Sequence, residues 1–201
     1  MSRVVVPAGA IDIVYKQTGK FLRKDVESRL IKEFEILKQE MLAEFNSHPV
    51  TQELERGVDA DPSAFVSKGS LFGFIGFNKN DEPVRTVRNM LESSYIAFIR
   101  VKNAIVDFKI YYPSKEELFN ATPLPYATGR SWLKGIETGL SGLGRYLNVE
   151  SDASRSGGGI QSQSKIRGGR FKNTKYISEI LNNFLLKVNK LSLWNHNFNI
   201  H

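Results

Sequence analysis

Cysteine is absent from the 201 residues, which excludes disulfides, thiolate zinc sites and cysteine nucleophiles together. Histidine is scarce. His48 stands beside a proline, and His196 and His201 lie in the terminal tail with no acidic residue near them in sequence, a pattern that offers neither metal-ligand spacing nor an acid–base pair. Long apolar runs are missing too: LFGFIGF and IVDFKIYY fall far short of the roughly 20 residues that cross a bilayer. The opening MSRVVVPAGAID has too short an apolar run for a signal peptide. The expectation is a protein made in the cytoplasm with nothing directing it to a membrane.

What is present is an ordinary globular balance, 41% hydrophobic and 24% charged, in a chain whose length suits a single domain, 1–201, with a core of its own. The net charge of +7 is unevenly placed: from Ser151 to His201 eight basic residues face only Asp152 and Glu179. Such a surplus attracts phosphate backbones or an acidic protein partner alike.

Periodicity gives the elements. VVVPAGAIDIVY reads as a short opening strand. From Asp25 to Phe45 the residues Val26, Leu30, Phe34, Leu37, Met41 and Phe45 recur at three- and four-residue spacing, predicting a helix with Asp25 as its N-cap and Pro49 after its stop. His48 to Ser70 reads as a polar loop with at most one helical turn, LFGFIGF (Leu71 to Phe77) as a buried strand, and PVRTVRNMLES as a short helix opened by Pro83. Two strands, Tyr95 to Val101 and Ala104 to Tyr112, form a hairpin. A Lys102-Asn103 turn would set Val101/Ala104, Ile99/Val106, Ala97/Phe108 and Tyr95/Ile110 on one apolar face, leaving a mixed face that includes Asp107 and Lys109. SKEELF is a further helix, TPLPYATGRSW an extended connection, and Trp132, Ile136 and Leu140 the face of another helix. The last helix carries Ile177, Ile180, Leu181, Phe184, Leu185 and Val188, with Asn173 or Thr174 as its cap. The tail SLWNHNFNIH is expected to fray.

No catalytic constellation emerges from the sequence. Ser131 in GRSWLKG lacks the G-x-S-x-G of a nucleophile elbow. Asp59 and Asp61 do not complete a calcium-loop alternation. The glycines of SRSGGGIQSQSKIRGGRF (Ser154 to Phe171) are not followed by the glycine-lysine-serine unit of a P-loop, and GLSGLG reverses the dinucleotide spacing. The RGG triplet occurs once, without the repetition of RNA-binding tails. The stretch therefore reads as a flexible basic arm at about 154–171, with Ile160 and Ile166 as apolar anchors and Arg155, Lys165, Arg167 and Arg170 as its charges. Such arms order on a partner. The reading is of a protein that is not an enzyme and takes no cofactor or metal.

The order LFGFIGF, PVRTVRNML, a strand pair, PLPYATGRSWLKGIETGLSGLGRYL, RSGGGIQ and FKNTKYISEIL resembles the neck and tail-completion (head-to-tail joining) proteins of tailed bacteriophages, over roughly Leu71 to Leu186. That resemblance implies an α+β subunit, a small antiparallel sheet with a long hairpin packed against an N-terminal and a C-terminal helix. It also implies a homo-oligomeric ring in the virion that joins tail to head and encloses genomic DNA without sequence-specific binding. Neighbouring connector and tail proteins would be its partners, and Asp107, Lys109 and the arm residues its assembly contacts. Two alternatives stay open: the tail terminator ring, and a nucleic-acid-binding module using the basic arm with Phe171 and Tyr176 as stacking groups.

Overall fold

A computed structural model describes residues 3–7, 21–60, 63–66, 69–102, 105–125, 127–138 and 174–192. The fold is α+β. Its elements, in chain order, are β1 (Arg3–Pro7), α1 (Phe21–Ser47), α2 (Pro49–Arg56) followed by a 3-10 turn (Gly57–Asp59), and α3 (Leu71–Ile75). Then come α4 (Pro83–Glu92), β2 (Tyr95–Lys102), β3 (Ile105–Tyr111), α5 (Lys115–Asn120), β4 (Pro123–Leu124), β5 (Ala127–Ser131), α6 (Trp132–Thr138) and α7 (Ile177–Ser192). They divide into two compact units, one of residues 1–42, 91–113 and 181–201, the other of 43–90 and 114–180.

The first unit holds a three-stranded antiparallel sheet in the order β1-β3-β2. Its core gathers Phe34, Met41 and Leu42 of α1, Phe108 and Ile110 of β3, and Leu181, Phe184 and Val188 of α7. The Phe184 ring meets Phe34 edge-on at 5.9 Å and Tyr112 at 6.4 Å, the geometry that aromatic quadrupoles favour. At its margin the Lys38 ammonium donates to the Ser94 carbonyl at 3.3 Å, and Lys187 pairs with Glu40 at 2.7 Å.

The hairpin exists, but its register differs from the expected one. Tyr95 pairs with Tyr111, Ile96 with Ile110, Ala97 with Lys109 and Phe98 with Phe108. Past a bulge at Ile99, Arg100 pairs with Asp107, Val101 with Val106 and Lys102 with Ile105. Between Lys102 and Arg100 the pairing is shifted by two from the expected one, which keeps the faces, and the extra residue at the bulge then slips the rest of β2 by one, which exchanges them. Ile96 and Phe98, not Tyr95 and Ala97, therefore share the face of the buried Phe108 and Ile110. On the turn side of the bulge Val101 lies opposite Val106, at register positions in phase with Phe108 and Ile110. The opening segment contributes β1, which pairs with β3 from Arg3 opposite Lys109 to Pro7 opposite Ile105.

The second unit is mainly helical. Its core contains Phe45, Val50, Leu54, Leu71, Phe72, Ile75, Trp132, Ile136, Tyr176 and Ile180. Phe45 stacks on Tyr176 at 5.9 Å, and Phe77 meets Trp132 edge-on at the same distance. The expected loop at His48 to Ser70 in fact begins with α2. Pro49 occupies a first-turn position, where its missing N–H costs nothing, and His48 Nδ1 accepts the Val50 N–H at 3.2 Å. LFGFIGF is likewise a helix, α3, and not a strand. Ser70 accepts the Gly73 N–H at 3.1 Å to start it. Gly76, at φ 91°, ends it: the Gly76 and Phe77 amides donate back to Gly73 at 3.1 Å and Phe72 at 3.3 Å, and the Phe72 and Phe77 rings lie 5.2 Å apart. That is a Schellman closure with its apolar contact.

The remaining helices follow their sequence signals more closely. Pro83 opens α4, and Val84, Val87 and Leu91 are buried. Ser114 and Glu117 form a capping box on α5. The TPLPYATGRSW connection forms the two-stranded β4-β5 sheet. Asp25 is not a cap, since α1 already runs from Phe21. Asn173 lies outside the described residues, and Thr174 precedes α7 by three residues.

Candidate functional site

The alternation of β3 separates two faces. Phe108 and Ile110 are buried, while Lys109 and Tyr111 occupy the opposite, half-buried face. Because the register brings Tyr95 opposite Tyr111, their rings stack at 4.5 Å with planes 13° apart. Lys109 Nζ lies 4.8 Å from the Tyr111 centroid, a cation–π contact worth roughly 0.5–1 kcal/mol on an exposed surface. Tyr95 is 50% exposed and Ile99, the bulged residue of the same strand, 48%. On this face the register also aligns Arg3 with Lys109 and Arg100 with Asp107.

Of the expected assembly residues, Lys109 is thus brought together with Tyr111 and Tyr95, and Asp107 sits at the β3 position between Val5 and Arg100. Arg155, Ile160, Lys165, Ile166, Arg167 and Arg170, with the rest of the arm, lie outside the described residues. The Tyr95–Tyr111 stack is what sequence reasoning missed, having put Tyr95 on the buried face. A signal for it existed: sliding the register by one residue pairs tyrosine with tyrosine, and the bulge then pairs arginine with aspartate, both favourable cross-strand couples.

Tyr176 is not an available stacking group. Its ring is fully buried, and its hydroxyl shares a hydrogen bond with Thr51 Oγ1 at 2.5 Å. Burial raises its pKa far above the usual phenol value, only partly offset by that hydrogen bond. The His48 ring lies 4.5 Å from it, and burial lowers the His48 pKa. Glu137 of α6 reaches the start of α7, where its Oε1 accepts the Tyr176 N–H at 3.1 Å and the Ser178 N–H at 2.8 Å. A carboxylate there satisfies orphan donors and complements the helix dipole. It does the work expected of Asn173 or Thr174. Ser131 accepts the Lys134 N–H at 3.0 Å and bonds Thr122 at 2.8 Å, so it caps α6.

A groove of about 580 Å³ beside the start of α4 is lined by Glu55, Asp81, Glu82, Arg85 and Arg88 among others. Its charges are matched within the protein: Arg85 with Glu82 at 2.9 Å, Arg88 with Glu55, and Asp81 accepting the Asn78 N–H at 2.8 Å. Among the described residues no three histidine, aspartate or glutamate side chains converge as a metal site would require, and no helix is long and apolar enough to cross a membrane. Comparison with protein-family models, with curated proteins and with solved structures finds no match for the chain.

Proposed function

We propose that the chain is a structural virion subunit of a tailed phage, assembling with copies of itself into a ring at the neck that joins tail to head around the DNA channel. One observation carries the reading beyond the sequence resemblance. Among the described residues β2 has β3 on one side and no strand on the other, and this eight-residue edge bears the half-exposed Tyr95 and Ile99. Unpaired strand edges recruit strands from other chains. A heterologous contact of this kind, repeated between like subunits, closes into a ring when the rotation it imposes divides a full turn.

In this scheme Asp107 and Lys109 orient the neighbouring subunit. The basic arm engages an adjacent subunit or an acidic connector or tail protein through Arg155, Lys165, Arg167 and Arg170, anchored by Ile160 and Ile166. The mechanism is geometric and involves no turnover. Electron micrographs of phage particles made without this protein test it. Separate filled heads and free tails are expected; intact joined virions would remove the reading.

A further inference from the structure

We propose that the outer face of the three-stranded sheet binds single-stranded nucleic acid, with a base stacked on the free side of Tyr95 and the backbone held by the basic residues around it. The proposal uses the face of the sheet where the ring reading uses the edge of β2; Tyr95 and Lys109 belong to both, and the self-association outcome of the test below separates the two. Tyr111 is covered on one side by Tyr95, at 4.5 Å, and carries the Lys109 ammonium 4.8 Å from its centroid. Tyr95, half exposed, ends the stack with a surface on which one more planar ring can lie.

The charge around the stack fits a polyanion. The register puts Arg3 opposite Lys109, Arg100 opposite Asp107 and Lys102 opposite Ile105, so the positions on this face of the sheet include four basic residues and one acidic one. A duplex keeps its bases stacked on each other and offers a sheet phosphates and groove edges but no ring face, whereas an unpaired strand offers ring faces as well. An acidic protein segment without aromatic side chains would use the charges and leave the ring stack unused.

Fluorescence anisotropy tests this with the full chain, a labelled 20-nucleotide oligothymidine and a labelled duplex of equal length, at several salt concentrations. The single strand is expected to bind more tightly than the duplex. Tyr95→Leu, which keeps an apolar side chain but removes the ring, should weaken it about tenfold or more, while Tyr95→Phe retains binding. Lys109→Gln should reduce the slope of log affinity against log salt by about 0.7. Unchanged urea unfolding would show that each variant is folded. Duplex binding as tight as single-strand binding overturns the proposal, as does a folded Tyr95→Leu with unaltered affinity. Two other results also overturn it: Tyr95→Leu changing only self-association, which makes the face a protein interface, and binding lost in Arg167→Gln/Arg170→Gln but not in Tyr95→Leu, which moves the site to the arm.

Discussion

Glu53 gives the sharpest test of the helical unit. It lies on α2, is 1% exposed, and divides its two oxygens between two backbone donors: Oε1 accepts the Leu71 N–H at 2.8 Å and Oε2 the Ala64 N–H at 3.1 Å. One side chain therefore fixes both the segment after the 3-10 turn and the first residue of α3. Glu53→Gln preserves size but leaves a single acceptor and turns an NH2 toward the other N–H. The cost of orphaning one buried donor is about 1–3 kcal/mol. Glu53→Ala orphans both and leaves a void, for a loss of about 3–5 kcal/mol. Urea unfolding followed by circular dichroism should show the midpoint falling in the order wild type, Gln, Ala. For a chain of this size the melting temperature should drop by roughly 2–4 °C per kcal/mol. If Glu53→Gln unfolds within about 0.5 kcal/mol of wild type, the two-donor arrangement is wrong.

Three further outcomes are expected. Phe108→Asp should unfold the sheet unit, because it puts an unpaired charge at a buried position, whereas Lys109→Glu should leave the fold intact and weaken assembly; similar circular dichroism for both would refute the assignment of the two faces of β3. Burial lowers the His48 pKa below its ordinary 6.5, against opposing pulls from Glu179, the Lys175 backbone, Glu44 and Glu137, so the folded state holds fewer protons than the unfolded chain. Stability should then be full above pH 6.5 and decline as pH falls through 6.5 toward the lowered value, and urea midpoints of His48→Asn, which keeps a capping acceptor, should lose that dependence. Thr51→Val should cost about 1–3 kcal/mol by orphaning the buried Tyr176 hydroxyl, and adding Tyr176→Phe should recover most of it in a double-mutant cycle.

Helices with a strong apolar stripe were legible in the sequence. Phe34, Met41 and Phe45 of α1, Val84, Val87 and Leu91 of α4, and Ile177, Ile180, Leu181, Phe184 and Val188 of α7 are buried as their spacing requires, while Leu185 is half-buried. LFGFIGF was not, because an apolar run of this length has no period to distinguish a strand from a helix; the decision lay in Ser70 and Gly76, which cap one helical turn. Caps supplied from afar were also hidden. Glu137 reaches α7 across 39 residues of chain and Glu53 reaches Leu71 across 18, and no local motif announces either. The hairpin was legible as a pair of strands but its register was not, since the Ile99 bulge changes phase within β2. That error moved Tyr95 to the wrong face and concealed the ring stack.

The central claim is that copies of this chain close into a ring through the β2 edge, and light scattering across a concentration series, with negative-stain images of the same fractions, measures it most directly. A closed oligomer of fixed copy number is expected, reduced to folded monomer by Ile99→Asp on the exposed bulge. A protein that stays monomeric at every concentration, or a ring that Ile99→Asp leaves intact, would contradict the account.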